Sequence, residues 1–165
     1  MKTHFLDITS EEHFNFDVFS ITCNESIYRV INSVNEQLNI DLQLSELLDY
    51  THTEGEDFYF PVYSFKLIEL NIELNLLPNE TSLQPNKIKP KEDTFDLFAG
   101  EVQQTTKLLP ELDTTDFLLL IKGENRYLYN HTILKALEDI SLFTSTKEIF
   151  MDDLKDKKSR SSLLF

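Results

Sequence analysis

The amino-acid sequence predicts an α+β fold: an antiparallel sheet with two amphipathic helices packed on one face. Three observations lead there. Two stretches carry apolar residues at helical spacing, and several others alternate or concentrate aromatic and β-branched residues as strands do. In chain order they run strand, helix, several strands, helix, strand, and strands grouped between helices suit an antiparallel sheet covered from one side. The 165 residues are about one domain's length, so a single domain is expected, with a mobile loop at about 79–94 and a solvated tail at about 152–162.

Residues 14–23 (FNFDVFSITC) are aromatic and β-branched and stop at Asn24, which predicts a strand followed by a helix cap. Ile27, Val30, Ile31, Val34 and Leu38 then recur at helical spacing, giving a helix over about 25–38 with one apolar face. After a short DLQLSELLDY segment comes the loop HTEGED at 52–57. Two strands are expected beyond it. Residues 58–65 form the first, where Pro61 lacks an N–H and argues for an edge position. Ile68, Leu70, Ile72, Leu74 and Leu76 alternate with polar residues as the second, and length alone places a turn or bulge near 64–67.

Residues 79–93 (NETSLQPNKIKPKED) are poor in apolar side chains and hold Pro85 and Pro90, the composition of a long loop. FDLFAG at 95–100 fits a short strand or a helical turn equally well. A buried strand over 117–122 ends at Gly123, and a second helix over about 127–140 presents Ile133, Leu134, Leu137 and Ile140 on one face, with Asn130 as an alternative cap. A last strand is expected over 143–150, and the Lys- and Ser-rich stretch after it as solvated up to its apolar LLF.

Composition excludes several functions. Apolar residues make up 41%, aromatic residues 12% and charged residues 27%, enough apolar surface to fold rather than stay disordered. Fifteen Lys and Arg against 29 Asp and Glu leave a net charge of −14, the wrong sign for nucleic acid, whose binding draws on cations neutralising phosphates. The acidity is uneven. Residues 1–82 hold 15 acids and three bases, and Arg29 is the one Lys or Arg between Lys2 and Lys66. Such a surface attracts basic patches and repels nucleic acid. The single Cys23 cannot form an intramolecular disulfide, the first residues lack a signal peptide's apolar stretch, and the longest apolar run, FLLLI at 117–121, is too short to span a bilayer. A cytoplasmic protein with no membrane partner is expected.

Recognisable chemistry is sparse. Gly55, Gly100 and Gly123 stand too far apart for a phosphate-cradling or dinucleotide-binding loop, and His4, His13, His52 and His131 lack zinc-protease spacing, so no cofactor and no metal site are expected. HTEGED fails as a calcium loop, because aligning Gly55 with the obligatory sixth position puts Tyr50 and His52 where oxygen ligands are required. Cys23, at the junction of a strand and a helix N-terminus, has the position of an activated thiolate, but no His is tied to it by spacing and inert burial is the expectation. Phe58, Tyr59, Phe60, Tyr63 and Phe65 read as strand core, with Tyr59 and Tyr63 left as interface candidates beside Glu54, Glu56 and Asp57.

The stretch LPELDTTDF at 109–117, followed by LLLIKG, resembles the motif that names the IPExxxVDY family, small bacterial proteins of unknown function. Pro110, Glu111 and Asp116 match; Leu109 stands for Ile, Thr115 for Val and Phe117 for Tyr. Further similarity lies in YRVINSVNEQLNIDL at 28–42 and in the final LLF. The resemblance implies a cytoplasmic protein and brings no catalytic residues with it. Phe117 lacks the family's phenol, which leaves its ring a packing role. From the residues themselves, Pro110 suits the start of a helical turn, Glu111 and Asp113 suit its positive end, and Asp116 suits a cap.

Two functions follow. The first is a non-enzymatic acidic interaction or adaptor protein docking a basic protein partner. The alternative is a carboxylate-based enzyme, or a small-ligand or divalent-metal binder, centred on Glu111 and Asp116, which requires the two carboxylates to converge. Arg29 is expected to pair with Glu25, Glu111 or Asp116.

Overall fold

A computed structural model describes residues 15–51, 57–82, 104–156 and 160–165. Six antiparallel strands form one sheet in the order β2-β3-β4-β7-β1-β8. They are β1 (Phe16–Thr22), β2 (Gln43–Thr51), β3 (Asp57–Leu67), β4 (Ile72–Pro78), β7 (Phe117–Lys122) and β8 (Ser145–Ile149), while β5 (Glu80–Ser82) and β6 (Thr105–Lys107) pair as a separate ribbon. Two helices, α1 (Ile27–Leu38) and α2 (Asn130–Glu138), pack on one face. This is the α+β class that the sequence predicts.

Alternation explains the layers. Phe19, Ile21, Leu74, Leu76, Leu119 and Ile121 point toward Val30, Ile31 and Val34 of α1 and Ile133 and Leu137 of α2. Phe16, Val18, Leu118 and Leu120 point the other way, into a second core with Phe58, Phe60, Val62, Leu108, Leu109, Leu154 and Leu163. Because β7 is central and covered on both faces, its sequence is uniformly apolar and not alternating. Within the stretch expected as a solvated tail at 152–162, Leu154 is buried in this second layer, as is Leu163 of the apolar LLF, while the other described residues of the stretch are exposed or half-buried; residues 157–159 lie outside the described set.

Several boundaries differ from expectation for identifiable reasons. The cap of α1 is Ser26, not Asn24, and Asn39 closes the helix in the left-handed conformation at φ 52°. A short 3-10 turn over Arg126–Leu128 leads into α2, whose first residue is Asn130. Strand β3 runs straight through 64–67, and the turn into β4 falls at Ile68–Asn71, where Asn71 adopts φ 52°. Gly123, at φ 120°, abuts that turn; a Cβ there would collide with the carbonyl of Asn71.

Pro61 sits in an interior strand, not an edge. The β3–β4 ladder begins only at Tyr63 opposite Leu76, so Pro61 lies beyond it. Thr81 donates its hydroxyl to the carbonyl of Tyr59 at 2.9 Å from the β5 side, so the odd-numbered residues of β3 turn their main-chain groups away from β2. A missing N–H at Pro61 therefore costs the β2–β3 ladder nothing. Strand β2 has no counterpart among the expected elements; a bulge between Leu44 and Glu46 interrupts its alternation, so Leu44 and Leu47 share a face although three residues apart.

Candidate functional site

Asn79 organises the motif. It follows Pro78 at the end of β4, in the stretch expected to be a mobile loop, and is completely buried. Its main-chain N–H donates to the carbonyl of Asp116 at 2.8 Å, and its own carbonyl accepts from Leu108 at 2.8 Å. Its side-chain Nδ2 donates to the carbonyls of Leu109 and Leu112, each at 3.3 Å, and of Thr115 at 3.1 Å, while Oδ1 accepts from the N–H of Leu109 at 2.9 Å. Residues 108–116 thus wrap around one amide side chain as two successive turns, with Leu112 N–H on Leu109 and Thr115 N–H on Leu112. The rest of the expected loop, from residue 83, lies outside the described residues, as does FDLFAG.

Each motif residue then has a definite place. Leu109 fills the second core and Phe117 the helix-side core, so the ring packs where the resemblance put a phenol. Pro110 is exposed at the first turn. Glu111 accepts main-chain N–H groups from Lys155 at 2.9 Å and Asp156 at 2.7 Å, clamping the C-terminal segment. Asp116 Oδ2 accepts the N–H of Cys23 at 2.8 Å, tying the motif to the β1–α1 junction. Asp113 pairs with Lys107 at 2.8 Å; this contact draws the carboxyl below and the ammonium above their ordinary ranges. The two motif carboxylates thus serve different segments, as long-range rather than local caps.

Cys23 is buried, and desolvation, more than any neighbouring charge, raises its thiol above the ordinary value. It lines a shallow open cleft at the start of α1 with Glu25, Ser26, Pro61, Glu80 and Asp116. Among the described residues no three His, Cys, Asp or Glu side chains group to hold a metal ion. Arg29 of α1 is 61% exposed and pairs with Glu25 at 2.7 Å, and not with Glu111 or Asp116.

Of the interface candidates, Asp57, Tyr59 and Tyr63 fall on β3, at the β2–β3 end of the sheet. Glu54 and Glu56 lie outside the described residues, whereas Asp57 opens β3 and is exposed. Tyr59 and Tyr63 are half-buried on the helix-side face, and burial, with Tyr28 as a secondary cause, raises the phenol of Tyr63. Sequence reasoning missed the neighbours that make this a continuous surface. Leu44 lies opposite Tyr63 and Leu47 opposite Pro61, and they are 57% and 53% exposed, with Tyr28 of α1 at 70%. A three-residue leucine spacing inside a strand-length segment was the available signal, and it is the signature of the bulge.

No family model, curated protein or solved structure matches the chain. No helix among the described residues is long and apolar enough to cross a membrane.

Proposed function

We propose that the protein is a non-enzymatic acidic interaction or adaptor protein that docks a basic protein partner in the cytoplasm, and that it belongs with the IPExxxVDY proteins. The observation that carries the reading is the coincidence of charge and exposed apolar surface at one end of the sheet. Asp41, Glu46 and Asp49 are exposed in the same segment as the exposed Leu44 and Leu47, and the sequence holds no Lys or Arg between Arg29 and Lys66. Such a field speeds encounter with a basic protein and opposes direct contact with nucleic acid. The carboxylate-centred alternative has less support, because Glu111 and Asp116 hold main-chain amides of two different segments, Lys155–Asp156 and Cys23.

Affinity capture from a cytosolic lysate tests the reading, at low salt and at about 1 M, where screening shortens to about 3 Å. A recurrent basic protein is expected, lost at high salt and lost when Glu54, Glu56 and Asp57 are changed to Gln, Gln and Asn. Capture of nothing at either salt refutes it.

A further inference from the structure

We propose that the partner docks by adding a strand to the outer edge of β2, and that this strand carries two bases bracketing two apolar residues. The inference rests on the docking reading and specifies its geometry.

The sheet's two edges differ. Strand β8 has five residues, with Lys147 and Glu148 among them, the short charged edge by which sheets avoid unwanted pairing. Strand β2 has nine, QLSELLDYT, with neither Lys nor Pro, and no described strand pairs with its outer side. Its bulge lies at the Leu44 end, leaving Glu46 to Thr51 in regular register with β3. Main-chain direction follows from the contact of Thr81 with Tyr59. Tyr59 and Pro61 face away from β2, so their partners Asp49 and Leu47 turn their N–H and C=O groups outward, to the free edge.

Side chains define what could pair there. Leu47 and Asp49 lie on the helix-side face, Glu46 and Leu48 on the other. Among the described residues neither Glu46 nor Asp49 has an ion-pair contact within 4 Å, and Glu46 meets Lys122 of β7 as a longer-range charge on the face opposite the helices. An incoming strand therefore meets acid, apolar, apolar, acid in succession, and its complement is base, apolar, apolar, base, which reads the same in either strand direction. A second copy of this chain is the poorer occupant. It brings another −14 of charge and sets carboxylates of both β2 strands along one seam.

The test uses a fluorescein-labelled octapeptide with Lys-Val-Val-Lys at its centre, its Glu-Val-Val-Glu counterpart, and a Lys peptide N-methylated at alternate amides. Binding to the full chain is read by anisotropy. The Lys peptide is expected to bind, to weaken at about 1 M salt, and to lose about tenfold or more in affinity with Asp49→Asn, with Leu47→Pro and on N-methylation. Leu47→Lys, which places a base on the edge without altering the ladder, replaces Leu47→Pro if thermal melts show the proline variant unfolded. Equal binding of the N-methylated peptide, or no dependence on Leu47, overturns strand addition and leaves acidic docking standing. Peptides that fail while lysate capture succeeds likewise overturn strand addition alone. Failure of both assays removes the docking reading as well. A dimer in sedimentation that Leu47→Pro disrupts, without peptide binding, assigns the edge to a second copy and overturns the proposal.

Discussion

Replacing Asn79 with Ala should destabilise the fold more than any other single change to a polar residue around the motif. Four hydrogen bonds of its side chain would be lost, but they do not count equally. The carbonyls of Leu109 and Leu112 keep donors, from Leu112 and Thr115 respectively. The N–H of Leu109 and the carbonyl of Thr115 have the Asn79 side chain as their partner, in a buried setting. Two orphaned main-chain groups at about 1–3 kcal/mol each give about 2–6 kcal/mol, so ~4 kcal/mol is expected. For a chain of this length that is a fall in melting midpoint of roughly 8–16 °C, and a large share of a typical 5–15 kcal/mol stability. Asn79→Asp should be no better. It keeps an acceptor for Leu109 but turns a carboxylate toward three carbonyl oxygens. Urea unfolding followed by circular dichroism measures both variants. A loss below about 1 kcal/mol for Asn79→Ala would mean that water or backbone movement satisfies the freed groups, and the hub assignment would be wrong.

Asp116→Ala should cost about 1–2 kcal/mol by freeing the Cys23 N–H near solvent, while Asp116→Asn, which keeps a carbonyl acceptor, should stay within about 0.5 kcal/mol of wild type in the same urea assay. Cys23 should resist an aromatic disulfide reagent in the native state, and rapid stoichiometric labelling at pH 6 would contradict its burial. Because folding raises its thiol above the ordinary value of 9.0, the corresponding stability is intact below pH 9 and lost as pH rises through the folded value; Cys23→Ala should flatten that alkaline decline in melting midpoint. Arg29→Ala and Arg29→Met should each shift stability by no more than about 0.5 kcal/mol, as expected for an exposed pair one helical turn apart, and a larger loss in thermal melts would reveal a structural role the surface pair does not explain.

What the sequence made legible was periodic. Both helices follow from apolar residues recurring on one face, and strands β1, β7 and β8 from short runs of apolar and β-branched residues. Strand β2 was hidden because a bulge breaks its alternation between Leu44 and Glu46. The β3–β4 turn was misplaced because the alternation from Ile68 to Leu76 continues in sequence across a turn that Asn71 makes in space. Leu108, Leu109, Leu154 and Leu163 were unreadable as a layer, since single or paired leucines among polar neighbours carry no period, and they are buried against the far face of β1 and β7. The motif was legible as residues but not as contacts. Asp116 reaches an amide 93 positions away, Glu111 amides 44 and 45 away, and Asn79 carbonyls 30 to 36 away.

Those separations bear on where function can lie. Through Asn79, Glu111 and Asp116, residues 108–116 join the end of β4, the C-terminal segment and the β1–α1 junction, and their hydrogen-bonding capacity is turned inward to main chain. A polar group held this way contributes to the fold, and removing it would orphan the amide it serves. The edge of β2 is in the opposite condition. Its outward main-chain groups, at Leu47 and Asp49, are not needed by any described strand. The main-chain groups of Leu47 and Asp49 can take a partner without unmaking the β2–β3 ladder, and that is why the docking surface is assigned to the edge and not to the motif.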